Sequence, residues 1–184
     1  MTNLSLRLLV LVGAAVLAAA ALVDARPADA SSNRIAVLTQ IDGFRDTTWH
    51  WQRLMGKRPT PTTYAERRAR SAAYRVWLRD LWRKRALAAE RRAAKPPHRA
   101  AWQCIHRYER HPHQGWRTRT GNGYYGGLQM DLSFQRAYGR RLLRTKGTAD
   151  RWSPIEQMWV AERAYRSGRG FYPWPNTARY CGLI

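Results

Sequence analysis

The chain has 184 residues, a length that fits one domain or two small parts and excludes a long multidomain enzyme or a repeat array. Hydrophobic residues make up 45% of it and aromatic residues 11%, so a wholly disordered protein is also excluded. Lysine and arginine total 33 against 12 acidic residues, a net charge of +21. Polyanionic partners are therefore expected, and nucleic acid, anionic lipid and acidic cell wall all qualify.

Residues 1–30 are predicted to be a secretory signal peptide. Arg7 precedes an apolar run over residues 8–23, and Ala28-Asp29-Ala30 supplies a small-residue cleavage site before Ser31. An uncleaved membrane anchor is the alternative, although a span needs about 20 apolar residues. Because residues 1–30 hold equal numbers of basic and acidic side chains, the mature chain keeps the charge of +21.

Residues 31–100 are predicted to form a basic, largely helical region with proline-containing connectors. They hold 17 basic and five acidic side chains. A short helix is expected from Thr48 to Gly56, and a longer one from about residue 65 to residue 94, before Pro96-Pro97. The apolar face predicted for the longer helix consists of Tyr74, Trp77, Leu78, Leu81 and Trp82.

Two interpretations of this arginine-rich helix remain open. It is a solvated surface whose aromatic stripe packs on the C-terminal domain, or a face that binds polyanions, and the two are compatible. Nucleic-acid binding is not expected, because no helix-turn-helix, zinc-finger or RNA-binding strand motif accompanies the arginines in a chain predicted to be exported.

Residues 101–184 are predicted to contain helices and one β-hairpin. A helix is expected over 99–110, and Asn122-Gly123 between a threonine-rich and a tyrosine-rich arm indicates a hairpin turn. Asp131 or Ser133 is expected to cap a helix that reaches about residue 143. The capping box Ser153-Pro154-Ile155-Glu156 predicts a further helix that ends near residue 168.

The motifs of this half resemble the resuscitation-promoting-factor-like transglycosylase family. The resemblance rests on Trp102 with Glu109 seven residues later, on Trp116 followed by Thr120-Gly121-Asn122-Gly123-Tyr124-Tyr125-Gly126-Gly127-Leu128-Gln129-Met130-Asp131, and on Val160-Ala161-Glu162 and Trp174-Pro175. It covers residues 102–182 and implies an α+β, mostly α, lysozyme-like small domain with one β-hairpin. The motifs of residues 31–100 indicate no particular family.

The resemblance also implies roles for individual residues. Glu109 falls on the catalytic glutamate, and Asp131 falls on an acidic residue implicated in the substrate site. The other implied substrate-binding or framework residues are Thr120, Tyr124, Gln129 and Trp174. Without the resemblance, the favoured interpretation of Glu109 is a helix-end carboxylate neutralised by Arg107 or Arg110.

Three departures from the family pattern stand out. The loop after Glu109 runs from Arg110 to Gly115 and is two residues longer, so it is reshaped. Arg169-Gly170 and one further residue replace a usual Gln-Gly before the last Trp-Pro. Cys104 and Cys181 are each displaced by four residues from the family's cysteines. Four residues are about one helical turn, so the resemblance implies that the disulfide is retained; two free thiols are the alternative.

No metal or other cofactor is expected. Three histidines, His106, His111 and His113, lie near Cys104, but their spacing fits no standard structural zinc site and a disulfide would consume the cysteine.

The resemblance implies cleavage of the β-1,4 bond between N-acetylmuramic acid and N-acetylglucosamine, with Glu109 as general acid and base. A lytic transglycosylase with a 1,6-anhydro product is favoured over a muramidase-type hydrolase, and a non-catalytic wall-binding module is the alternative of another class. The expected location is outside the cell, associated with the wall. Peptidoglycan and anionic wall polymers are the expected partners, other wall hydrolases are further candidates, and no membrane span is expected after processing.

Overall fold

The computed structural model describes residues 27–184, with side chains from residue 30 onward. The predicted signal peptide therefore lies almost wholly outside the described residues. The elements follow in the order α1 (Pro27–Leu54), α2 (Tyr64–Arg67), α3 (Ala72–Ala93), α4 (Arg99–Glu109), β1 (Tyr124–Tyr125), β2 (Met130–Asp131), α5 (Leu132–Tyr138), α6 (Arg140–Lys146), α7 (Pro154–Ala164) and α8 (Pro175–Tyr180). The described part of the chain is mostly helical with one two-stranded antiparallel sheet, which confirms the predicted fold class.

The N-terminal helices differ from the prediction in their bounds. The short helix expected from Thr48 is the last part of the 28-residue helix α1. The Thr48 hydroxyl donates to the Phe44 carbonyl oxygen at 2.7 Å, so it is satisfied inside the helix and does not cap one. The helix expected from residue 65 is divided in two, because Ser71 accepts from the Tyr74 amide at 3.1 Å and caps α3 separately.

Helices α1 and α3 pack on each other and share a small core of their own. Its buried members are Val37, Ile41, Leu78 and Trp82. The aromatic stripe of α3 thus packs on α1 and not on the C-terminal half, contrary to the first interpretation of this helix. Trp77 does not face this core, because 54% of its surface is exposed. No helix among residues 27–184 is both long and apolar enough to cross a membrane.

The N-terminal helices also join the larger core of the chain. Leu54 and Met55 at the end of α1 and Ala93 at the end of α3 are buried in the same cluster as Trp102 of α4. The Trp159 indole donates to the Ala93 carbonyl oxygen at 2.8 Å. The proline connector after α3 therefore begins from a fixed position on the C-terminal half.

The C-terminal helices follow the sequence signals closely, with one break. The capping box at Ser153 is present, and the Glu156 carboxylate accepts from the Ser153 amide at 2.8 Å. The helix expected to reach residue 143 divides at Gly139 into α5 and α6. A side chain at Gly139 would place a Cβ 2.5 Å from the Trp152 ring, so the close approach of that indole requires glycine there.

The two strands flank the turn at residues 126–129, and not the predicted turn at Asn122-Gly123. Tyr124 pairs with Asp131 and Tyr125 with Met130, whereas the threonine-rich arm contributes only a bridge between Arg119 and Tyr125. Residues 115–117 form a 3-10 turn, so this arm is not extended along its length. It remains attached because the Gly126 amide donates to the Thr118 carbonyl oxygen at 2.8 Å.

Candidate active site

Glu109 lies at the C-terminal end of α4 and has one side-chain partner. The Thr177 hydroxyl, on α8, donates to Glu109 Oε1 at 2.8 Å. No salt bridge to Glu109 forms within residues 30–184, so neither Arg107 nor Arg110 neutralises it. The helix-end interpretation required that one of these arginines neutralise Glu109, and the structure does not support it.

The surroundings of Glu109 favour its protonated form. Burial raises the pKa of Glu109, while the hydrogen bond from Thr177 lowers it by a smaller amount. Desolvation therefore prevails despite the high positive charge of the chain. A carboxyl group with this pKa direction is suited to donate a proton near neutral pH.

A cleft of about 300 Å³ opens beside Glu109. Three of the residues implied by the resemblance, Tyr124, Gln129 and Trp174, line it. Its remaining lining residues are Asn122 and Pro175, which the sequence analysis named only as parts of motifs, and Pro173 and Asn176, which it did not identify. Thr120 is exposed and is not among the lining residues. Trp174 and its flanking prolines form the apolar wall of the cleft beside the acid. Trp102 and Ile105 of α4 are fully buried in the core and do not line the cleft.

Trp174 and Gln129 are held in place by backbone contacts. The Trp174 indole donates to the Leu128 carbonyl oxygen at 2.6 Å. Gln129 has a φ of 48°, and its side-chain amide donates to the Gly126 carbonyl oxygen at 2.9 Å. A left-handed backbone is uncommon for a residue other than glycine, so the β1–β2 turn fixes Gln129 at the cleft at some conformational cost.

Asp131 lies in a second recess of about 120 Å³ that continues the cleft. The two spaces share Tyr124, Gln129, Pro173 and Trp174. Asp131 Oδ1 accepts from the Phe134 amide and from the Ser133 hydroxyl, both at 2.7 Å. These hydrogen bonds lower the pKa of Asp131. Asp131 is thus the N-cap of α5 as well as a cleft residue.

A buried polar network behind the cleft was only partly apparent from the sequence. Glu162, within the Val160-Ala161-Glu162 motif, accepts from the Trp102 indole and from the His98 amide, both at 2.8 Å. Gln157, which no sequence signal identified, accepts from the Gly127 amide at 2.8 Å and donates to the Trp116 carbonyl oxygen at 2.8 Å. These contacts hold α4, α7 and the turn before β2 in fixed positions.

Gly127 is required by this packing. A Cβ at Gly127 would lie 2.4 Å from the His106 ring, which stacks on the Trp116 ring at a centroid distance of 3.8 Å. His106 therefore serves the packing behind the cleft.

Cys104 and Cys181 form a disulfide with a Cα separation of 6.0 Å. The bridge ties α4, which carries Glu109, to the end of α8, which carries Thr177. Since the Cys104 sulfur is consumed, it cannot serve the zinc alternative. Among residues 30–184, no group of three or more histidine, cysteine, aspartate or glutamate side chains could hold a metal.

The reshaped loop after Glu109 folds back on itself. The His111 amide donates to the Thr118 hydroxyl at 2.9 Å, and that hydroxyl donates to the Gly115 carbonyl oxygen at 2.6 Å. Residues 110–115 are not among those that line the cleft. The lengthened loop therefore lies outside the lining of both the cleft and the recess.

The comparisons with known proteins agree with this geometry. A transglycosylase-like domain family matches residues 97–177. The chain is 40% identical over 68 residues to resuscitation-promoting factor Rpf1 of Corynebacterium glutamicum, and 42% identical over 64 residues to resuscitation-promoting factor RpfE of Mycobacterium tuberculosis. These alignments cover 37% and 35% of this chain and 34% of each relative, so the chain spans about a third of the length of these relatives. No solved structure matches the chain significantly. Residues 97–177 therefore match the transglycosylase-like domain family and are similar to the resuscitation-promoting factors.

Proposed function

We propose that the chain is an exported peptidoglycan-cleaving enzyme with Glu109 as its general acid and base. The observation that carries the proposal is a carboxyl group of raised pKa at the wall of a groove, within a domain that matches the transglycosylase-like family. The proposed substrate is the β-1,4 bond between N-acetylmuramic acid and N-acetylglucosamine.

In the first step, protonated Glu109 gives its proton to the glycosidic oxygen. The bond from that oxygen to C1 of the muramyl residue then breaks, and the muramyl ring passes through an oxocarbenium-like state. Pro173, Trp174 and Pro175 line the cleft beside the acid with apolar surface. Burial raises the pKa of Glu109, the direction that proton donation requires.

The second step is assigned to intramolecular ring closure. A hydrolase that uses two carboxylates has both of them facing the bond that is cleaved. Within the described residues, Glu109 is the only carboxylate that lines its end of the cleft, and Asp131 lies in the adjoining recess with one oxygen engaged in capping α5. We infer that Glu109 takes the proton of the muramyl 6-hydroxyl as its oxygen attacks C1. The product is a 1,6-anhydro sugar, and Glu109 recovers its proton.

Mass spectrometry of sacculi digested with the mature protein tests this proposal. Anhydro-muropeptides support the transglycosylase, whereas products heavier by one water support the muramidase-type alternative. A wall-binding module would sediment with insoluble peptidoglycan without releasing muropeptides. The Glu109→Gln variant shows whether the released muropeptides come from this protein or from a contaminating hydrolase. Its control is Glu90→Gln, the same substitution at an exposed position of α3.

Residues 31–100 are proposed to attach the enzyme to anionic wall polymers outside the cell. Their 17 basic side chains exceed the five acidic ones, and three of the six arginines of α3, Arg83, Arg91 and Arg92, are exposed. Trp77, half exposed, stacks on Tyr74 at a centroid distance of 5.4 Å and presents an aromatic surface among them. Attachment of this kind depends on charge and should weaken with salt.

A further inference from the structure

Arg169 is a cationic side chain in the groove that the proposed reaction does not use. It belongs to a turn at residues 165–169 that follows α7, and it lines the recess that contains Asp131. The glycines on either side, Gly168 and Gly170, have φ values of 94° and 53°. The chain reverses its direction there, and the Tyr172 amide donates to the Arg169 carbonyl oxygen at 3.1 Å. The backbone of Arg169 is thus fixed at the rim of the groove.

The guanidinium of Arg169 forms no salt bridge within the part of the chain that the structure describes. It adds to the hydrogen bond from Ser167 in lowering the pKa of Tyr138, so the Tyr138 hydroxyl on α5 is a polar neighbour of this guanidinium. No carboxylate among residues 30–184 lies within 4.0 Å of the guanidinium. Its distance to the Phe134 ring centroid is 6.0 Å, which is the limit of a cation–π contact and contributes little. Packing alone therefore does not account for a charge at this position.

Asp131 is close enough to be affected by the charge of Arg169 but does not pair with it. Asp131 Oδ1 accepts from the Ser133 hydroxyl and the Phe134 amide, and the charge of Arg169 adds to these hydrogen bonds in lowering the pKa of Asp131. No salt bridge joins the two side chains, so a substrate in the groove would meet a guanidinium without a direct carboxylate partner beyond Tyr124 and Trp174, at the end away from Glu109. A planar guanidinium with free donors is the group best suited to bind a carboxylate.

We propose that Arg169 binds a carboxylate carried by the muramyl side chain of the glycan strand and so selects strands that carry that charge. The inference rests on the proposed function, because it takes the groove to be the glycan site. Two carboxylates have the required chemistry: the free lactyl carboxylate of a strand without peptide, and the first free carboxylate of a stem peptide. Because Arg169 is exposed to solvent, its contribution is modest, about two- to fivefold in affinity.

The test compares Arg169→Gln, Arg169→Lys and an Arg144→Gln control, which removes the same charge from an exposed position on α6 outside the groove. Three substrates are used: strands without peptide, strands with stem peptides, and either strand after its carboxylates are converted to methylamides. We expect Arg169→Gln to raise KM about two- to fivefold for charged strands with kcat nearly unchanged. The Arg144→Gln variant should stay close to wild type, and Arg169→Lys should fall between wild type and Arg169→Gln because lysine keeps the charge but not the planar guanidinium. No variant should change KM for the methylamides.

The substrate arms identify the carboxylate. A rise in the KM of Arg169→Gln that is confined to strands without peptide indicates the lactyl carboxylate. A rise confined to peptide-bearing strands indicates the carboxylate of the stem peptide. An equal rise in KM for charged and methylamide strands would overturn the inference, as would no rise for either.

Binding to the Glu109→Gln variant separates this inference from the proposed reaction. If the wild type cleaves nothing while binding of charged strands to Glu109→Gln still depends on Arg169, the reaction is wrong and the carboxylate site stands. If the wild type releases muropeptides and binding is independent of Arg169, only the carboxylate site is wrong.

Discussion

Removal of the Cys104–Cys181 disulfide should lower the free energy of unfolding substantially, because the bridge closes a long loop. The two cysteines are separated by 77 residues along the chain. For a loop of that length, the chain-entropy relation gives about 4.5 kcal/mol at 25 °C, and losses in small secreted domains run from about 2 to 5 kcal/mol. We therefore expect the Cys104→Ala/Cys181→Ala double variant to lose about 3 to 4 kcal/mol and roughly 10 °C in Tm.

Urea unfolding of the double variant and of wild type, with and without reductant, measures this loss. Reductant should destabilise the wild type to the level of the double variant and leave the double variant unchanged. Thiol labelling of the native, unreduced wild type should be negligible. A loss below about 1 kcal/mol, or stoichiometric labelling of both cysteines without denaturant, would refute the reasoning.

Three further predictions concern the acid, its surroundings and the basic helices. Thr177→Val removes the hydrogen bond that lowers the pKa of Glu109, so the alkaline limb of the pH profile of kcat/KM should move to higher pH. Thr177→Ser keeps the hydroxyl and should keep the wild-type profile. An alkaline limb that does not move in the valine variant would contradict this role of the Thr177 hydrogen bond. Burial alone would raise the pKa of Glu156, but its hydrogen-bond partners outweigh burial and lower it to about 2. The Glu156 carboxylate therefore stabilises the folded protein at pH values above 4.5, the pKa of this group in the unfolded chain. About 3 kcal/mol of the free energy of unfolding should be lost as the pH falls to about 2. A Glu156→Gln protein that loses stability in acid to the same extent as wild type would contradict this. The Arg83→Gln/Arg91→Gln variant should elute from wall at lower salt than wild type, and unchanged elution would show that these arginines are only a solvated surface.

Local signals in the sequence were reliable where one short segment determines the structure. The Ser153 capping box fixes the start of α7 because its hydrogen bonds span only three residues. Thr48 shows the limit of the same kind of signal. A threonine hydroxyl can cap a helix or bond to the carbonyl four residues earlier, and the sequence alone does not distinguish the two.

The parts of the candidate site that the sequence missed depend on long-range contacts. Thr177 reaches Glu109 across 68 residues of chain, and Glu162 reaches Trp102 across 60. Gly139 likewise divides α5 from α6 because the indole of Trp152 approaches its backbone. Periodicity and capping rules contain no information on such pairs. The family motifs implied that Tyr124, Gln129 and Trp174 lie at the cleft with Glu109, and these residues line it, whereas Thr120 does not. The structure added how the acid is desolvated and held.

Release of muropeptides by the Glu109→Gln variant tests the central proposal most directly. Glutamine keeps the shape of the side chain and can still accept from Thr177, but it cannot transfer the proton. Anhydro-muropeptide release from sacculi, measured by mass spectrometry, should fall by at least about 100-fold, while the Glu90→Gln control keeps the wild-type rate and both variants keep the wild-type urea unfolding curve. Near-normal release by a folded Glu109→Gln protein would contradict the account.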